Sequence, residues 1–219
     1  MTNPTTNGFG VVVLDLDGTL VDSSADIAEA MNHALRAYGI GAVTAEQVGA
    51  ALGGGPTILV ERCLTAAGRA ADDPALVASV LEAYSERYRA HPATHTRVFD
   101  TASAVLPALH ARGVLIGVCT NKRTAIAEAV IDAVGLSSIV GAIVGSDTTP
   151  TPKPQPGHLT DTVTALGAGD RRVLYVGDTD IDQRTAAAAG VTYAQVAWGH
   201  PDVPADHYLT SFDDLLSIV

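Results

Sequence analysis

Val11-Val12-Val13-Leu14-Asp15-Leu16-Asp17-Gly18-Thr19-Leu20 is the stretch on which the fold turns. Its first four residues are apolar and mostly β-branched, and two acids and a glycine stop the run. That pattern predicts a buried strand ending in a polar loop. Similar runs recur at 114–119, 139–144, 173–176 and 192–196. Continuous apolar strands of this kind suit a parallel sheet covered on both faces.

Helical patterns separate the later strands. Ile126, Ala129, Val130, Ala133 and Val134 share a helical face, with Gly135 placed to stop it. Leu159, Val163 and Leu166 form another stripe, and an alanine-rich helix ends at Gly190. The alternation from about residue 97 onward predicts a doubly wound, Rossmann-like α/β core. Pro107 makes the helix after Thr101 the weakest of these assignments.

Residues 21–95 break the alternation. Ile27, Met31, Ala34, Leu35 and Tyr38 mark one amphipathic helix, and 57–67 a second, entered from Gly53-Gly54-Gly55-Pro56. Asp73 and Pro74 read as N-cap and first residue of a third, carrying Leu76, Val77, Val80, Leu81, Tyr84 and Tyr88. The expected organisation is a core of 1–20 and 96–219 with a small α-helical module, 21–95, inserted after the first strand.

Of the 219 residues, 47% are hydrophobic and 17% charged, enough to build a sizeable core. The formal net charge of −11 disfavours nucleic acid and anionic lipid as partners. No apolar run reaches membrane-span length. Met1 to Asn7 is polar and lacks the pattern of a secretory signal. Cys63 and Cys119 are too few for a disulfide framework and suit a reducing cytosol. The seven histidines lack metal-ligand spacing. These readings predict a cytoplasmic protein, monomeric or homodimeric.

Open parallel sheets bind ligands at the carboxyl ends of their strands. Four strand ends carry polar groups: Asp15 and Asp17; Thr120 and Asn121; Lys153, between Pro152 and Pro154; and Asp178, Asp180 and Asp182. The set suits phosphate-ester hydrolysis. Asp15 and Asp178 can hold a hard cation such as Mg²⁺. Asp15 can attack phosphorus, Asp17 can move protons, and Thr120, Asn121 and Lys153 can hold phosphoryl oxygens. Taken singly, each has a plainer reading. Asp15 can be a turn residue, Thr120-Asn121 a helix cap, Lys153 a solvated loop lysine, and Asp178 and Asp182 helix-start acids. Asp180 reads as solvent-facing.

The ordered set resembles the haloacid dehalogenase superfamily, and within it the phosphoglycolate phosphatase-like group. The motifs are Asp15 to Ser23, Thr120-Asn121-Lys122, Lys153-Pro154-x-Pro156 and Gly177-Asp178 with Asp182. The resemblance implies a strand order 3-2-1-4-5 with Asp15 central. It implies Asp15 as nucleophile and metal ligand, and Asp17 as acid/base with its main-chain carbonyl on Mg²⁺. Asp178 is then the remaining protein ligand, and Asp182 lies near the metal waters or orients Lys153. The helical insert resembles the family's small cap. Asp17 argues against dehalogenation, whose halide leaving group needs no proton. The absence of lysine from 21–95 argues against the phosphonate-cleaving branch. Gly54 and Gly55 are candidates to bring N–H groups to a substrate carboxylate, and Arg62 to pair with it or with Glu61. Phe99-Asp100-Thr101 departs from the family's usual proline-glycine turn.

The expected activity is Mg²⁺-dependent hydrolysis of a small phosphate monoester, 2-phosphoglycolate first. Alternatives on the same scaffold are a sugar-phosphate phosphatase, a β-phosphoglucomutase-like phosphomutase and a pyrophosphatase. A phospho-acceptor signalling module is the non-enzyme rival.

Overall fold

A computed structural model describes residues 8–99 and 101–219. The polar stretch Met1 to Asn7, and Asp100 within the departing turn, lie outside the described residues. The chain runs β1 (Val11–Leu14), β2 (Val21–Asp22), α1 (Ser24–Ala37), α2 (Ala45–Gly49), α3 (Pro56–Ala66), α4 (Pro74–Ala90) and β3 (Arg97–Val98). It continues with α5 (Ala102–Ala111), β4 (Leu115–Cys119), α6 (Thr124–Ala133), β5 (Val140–Val144), α7 (Pro156–Ala165) and β6 (Val173–Gly177). The last elements are α8 (Asp180–Ala189), β7 (Thr192–Val196), β8 (His207–Leu209) and α9 (Leu215–Ile218).

The main sheet has the order β5-β4-β1-β6-β7-β8, and all its pairings are parallel. The five expected strands take the expected order, and β8 extends the sheet by one. All four residues of β1 are fully buried, because parallel strands need both faces covered. Val12 and Leu14 face one apolar cluster with α5 and α6; Val11 and Val13 face another with Leu159 and Ala186. The strand's period of two thus divides the core between two layers.

The helices α1–α4 bury their own set, including Met31, Leu35, Val48, Val60, Leu64, Val80 and Tyr84. Tyr38, expected on the buried face of α1, is instead the C-cap residue and 44% exposed. The helix ends one residue earlier, so Tyr38 leaves the stripe. Asp73 caps α4 by accepting from the Ala75 and Leu76 N–H groups, with Pro74 next. Helix α2 was not expected: a capping box of Thr44 and Gln47 closes this five-residue helix. Pro107 sits inside α5 without ending it; Ser103, whose carbonyl loses its usual donor, is exposed to water. On α6 the buried face is Ile126, Ala127, Val130 and Ile131, while Ala133 is exposed.

Two short strands, β2 and β3, pair antiparallel where the chain leaves and re-enters the sheet-bearing body. Beside them the buried Asp26 carboxylate accepts from the N–H groups of Thr94, His95 and Thr96 and from the Thr96 hydroxyl, at 2.6–3.2 Å. The two connections are therefore clipped together.

Candidate active site

β1 ends on Asp15 at the middle of the sheet, between β4 and β6. The Asp15 carboxylate accepts from the Leu16 N–H at 2.7 Å. Lys153 Nζ reaches Asp15 Oδ1 at 2.9 Å and Asp182 Oδ1 at 2.6 Å. The Tyr175 hydroxyl completes this cage, 3.1 Å from Lys153 Nζ and 2.8 Å from Asp182. The carboxylate of Asp182 is fully buried and also accepts from the Thr179 N–H and hydroxyl.

Asp178 stands beside them, its Oδ1 accepting from the Thr19 hydroxyl at 2.8 Å. Gly18 allows the close approach: a Cβ there would lie 2.4 Å from Asp178 Oδ2, and its φ of +85° favours glycine. Carboxylate oxygens of Asp15, Asp178 and Asp182 all lie within 4.8 Å of one another.

Burial first, and then the negative charge of neighbouring acids, pushes the Asp178 carboxyl above the usual range; for Asp15 burial outweighs the opposing Lys153 charge and raises it to about 7. For Asp182 burial acts the same way, but Lys153 and the hydrogen bonds from Thr179 and Tyr175 outweigh it and hold this carboxyl low. Burial pulls the Lys153 ammonium down, and Asp15 and Asp182 together more than reverse it. Three buried carboxylates, Asp15, Asp178 and Asp182, thus share the single ammonium of Lys153. An all-oxygen, doubly anionic set of this kind fits a hard divalent cation.

Asp17 lies further out. Lys122 Nζ sits 2.6 Å from each of its carboxylate oxygens, and the Ser23 hydroxyl also donates to it. Lys122 had no assigned role in the sequence reading, although it was quoted within its motif. Its ammonium also lies 4.8 Å from the centre of the Tyr88 ring on α4.

Thr120 is buried at the end of β4, its hydroxyl accepting from the Lys122 N–H at 3.2 Å. The Asn121 side-chain amide donates to the carbonyls of Gly53 and Lys153. It is thus spent on main chain, and not offered to a phosphoryl group as expected. His158 was also missed. Fully buried, its Nδ1 accepts from the Lys153 N–H and its Nε2 donates to the Val144 carbonyl, each at 3.0 Å. That fixes the loop from which Lys153 reaches inward.

A cavity separates the strand ends from α1–α4. Asp15, Asp17, Thr120, Asn121, Lys122 and Arg123 line its sheet side. Ile27, Leu52, Leu59, Tyr84, Tyr88, Gly53 and Gly55 line the opposite side. Gly54 and Arg62 are not among the lining residues. Arg62 Nη1 donates instead to the carbonyls of Ala51 and Leu52 at 3.1 Å, where α2 ends. Those turn carbonyls just beyond α2 hold the guanidinium, so it pairs neither with Glu61 nor with the cavity. Asp180 is exposed and pairs with Arg184, as its solvent-facing reading expected.

No helix among the described residues is long and apolar enough to cross a membrane. Both cysteines are free and buried.

Comparison with known proteins places this geometry. The profile of the haloacid dehalogenase-like hydrolase family matches residues 12–196. A phosphoglycolate phosphatase of Cereibacter sphaeroides is 39% identical over 193 residues, 88% of this chain and 87% of the relative. One from Yersinia pestis is 35% identical over 218 residues, 95% of this chain and 92% of the relative. A crystal structure of a predicted phosphoglycolate phosphatase from Haemophilus somnus 129PT superimposes with a TM-score of 0.85 at 25% identity, covering 96% of this chain and 97% of that one. The chain belongs to the haloacid dehalogenase-like hydrolase family, among its phosphatases.

Proposed function

We propose that the protein hydrolyses a small phosphate monoester with Mg²⁺, through an aspartyl-phosphate on Asp15, and that the substrate is 2-phosphoglycolate. One observation carries the mechanism: the Lys153 ammonium is held between Asp15 and Asp182, with Asp178 alongside. A nucleophilic carboxylate, a fixed cation and hard-metal donors thus share one sheet end.

In this reading the carboxylates of Asp15 and Asp178 and the main-chain carbonyl of Asp17 hold Mg²⁺. When bound, the ion offsets the repulsion between a carboxylate nucleophile and a phosphate dianion. A free Asp15 oxygen attacks phosphorus, and the bond to the leaving oxygen breaks as the new bond forms. Thr120 and Lys153 hold the phosphoryl oxygens. Asp17, once it turns from Lys122 and Ser23 and takes up a proton from solvent, gives that proton to the leaving oxygen. It then takes a proton from water, whose oxygen attacks phosphorus and frees Asp15 as inorganic phosphate departs.

Residues 1–20 and 96–219 act as the catalytic core, and 21–95 as a cap that closes over it. The apolar cluster built mainly by α1–α4, joined from the core, among the described residues, only by Ile126, and the clipped connections support that division. The substrate assignment draws on the named relatives and on Lys122 and Arg123, two basic residues lining the cavity. A cytoplasmic monomer or homodimer fits the two free buried thiols.

The test is Mg²⁺-dependent phosphate release from a panel of small esters, with chelator controls. We expect 2-phosphoglycolate to lead the panel, and Asp15→Asn to lose about 10³-fold or more in kcat. Turnover of 2-phosphoglycolate no better than of aryl phosphates would sink the substrate. Full activity in Asp15→Asn would sink the mechanism.

A further inference from the structure

Asn121 follows β4 and is 8% exposed. Its Nδ2 donates to the Gly53 carbonyl at 2.9 Å and to the Lys153 carbonyl at 3.2 Å. Both neighbours are acceptors, so the NH₂ must face them and the amide cannot be turned over. Away from the two clipped connections, this bond ties the α2–α3 loop to the sheet-bearing body.

The α2–α3 loop is also tightly seated at that point. A Cβ on Gly53 would stand 3.3 Å from Thr179 Cγ2, and its φ of +96° lies where glycine is favoured. The loop therefore rests on the turn after β6, next to Asp178, while the bond from Asn121 holds it to the end of β4. The same amide grips the backbone of Lys153, whose ammonium meets Asp15.

We propose that Asn121 is a positioning residue, a latch that holds the α2–α3 loop down over the site and ties it to the loop carrying Lys153. One side chain then couples the seating of the α2–α3 loop to the Lys153 backbone, in addition to the Asp26 clip and the His158 bond. The inference rests on the Asp15-centred reading of the site. It assigns Asn121 no contact with substrate.

Hydrogen–deuterium exchange at the amides of residues 52–55 tests it in the full-length chain. Asn121→Ala and the near-isosteric Asn121→Asp should each speed exchange there by about fivefold, the factor that one net hydrogen bond supplies. Asp15→Asn should leave that exchange unchanged. In steady-state assays with 2-phosphoglycolate, both Asn121 variants should raise KM by more than they lower kcat. Asn121→Gln, which keeps the amide, should recover part of the protection and of the KM. If Asn121→Ala does not fold, the Asp variant carries the test. Unchanged exchange at 52–55 in the folded variants overturns the latch. Activity in Asp15→Asn would overturn the mechanism and leave the exchange result standing.

Discussion

The two walls of the cavity are built on opposite principles. On the sheet side Asp15, Asp17 and Lys122 face the cavity, and behind Asp15 stand Lys153, Asp178 and Asp182, buried, charged and held by named partners. On the helical side Ile27, Leu52, Leu59 and the stacked rings of Tyr84 and Tyr88 offer mostly hydrocarbon. Hydrocarbon contacts are non-directional, and side chains of similar volume can replace one another at modest cost. A buried charge set tolerates no such exchange, because removing one member strands the others. The sheet side is therefore the fixed part of the machine, and the helical side the part on which selectivity can be altered.

The contrast should be sharpest at Lys153. Lys153→Met leaves two buried carboxylates without their cation. It should cost about 3–5 kcal/mol in urea unfolding and abolish phosphate release from every ester tested. Loss of activity without loss of stability would break the comparison.

His158 should report the same rigidity through pH. Burial first, and then the neighbouring Lys153 charge, lowers its pKa from 6.5 to about 4. The unfolded chain binds this proton more readily than the folded one. The contribution is therefore fully present above pH 6.5 and is lost as pH falls through about 4. Wild type should lose about 3 kcal/mol more than His158→Gln between pH 7 and pH 4, measured by denaturant titration at each pH.

Arg123 tests the junction of the two walls. It lines the cavity, its side chain is half exposed, and Asp147 holds it only at 3.3 Å. If it meets the substrate carboxylate, Arg123→Gln should raise KM for 2-phosphoglycolate about tenfold, roughly one charged hydrogen bond. KM for an uncharged aryl leaving group should move much less. Equal changes for both substrates would remove Arg123 from recognition. The smallest effect belongs to Asp73, far from the charges. Asp73→Ala removes the α4 cap and should cost about 1 kcal/mol in thermal unfolding, with kcat unchanged.

The same contrast decides what the sequence revealed. Asp15, Thr120, Lys153 and Asp178 stood out because each interrupts or follows an apolar strand run, a local pattern. Tyr175 and His158 did not. Tyr175 reads as one more core residue within β6, and His158 as a polar position on α7, until folding brings them to Lys153. The pairing of Lys122 with Asp17 spans 105 residues, and no spacing rule announces it. Helix α2 is too short for a periodicity argument, and β8 too short for a strand run. Arg62 misled because a basic residue after a glycine loop resembles an anion site. The carbonyls that hold it lie in the turn after a helix the pattern did not show.

The place of β1 at the centre of the sheet has a consequence for how the chain is made. Val11 pairs with Leu115 on one side and Val173 on the other. During synthesis this apolar segment therefore waits without a neighbour until β4 is made, and without its second until β6 is made. Such long-range parallel pairing is slow, and an unpaired apolar strand invites association with other chains. The segment ending in Asp15 is thus also the one most exposed to aggregation before folding ends. Expression yield should accordingly depend on dilution and chaperone supply more than native stability alone would suggest.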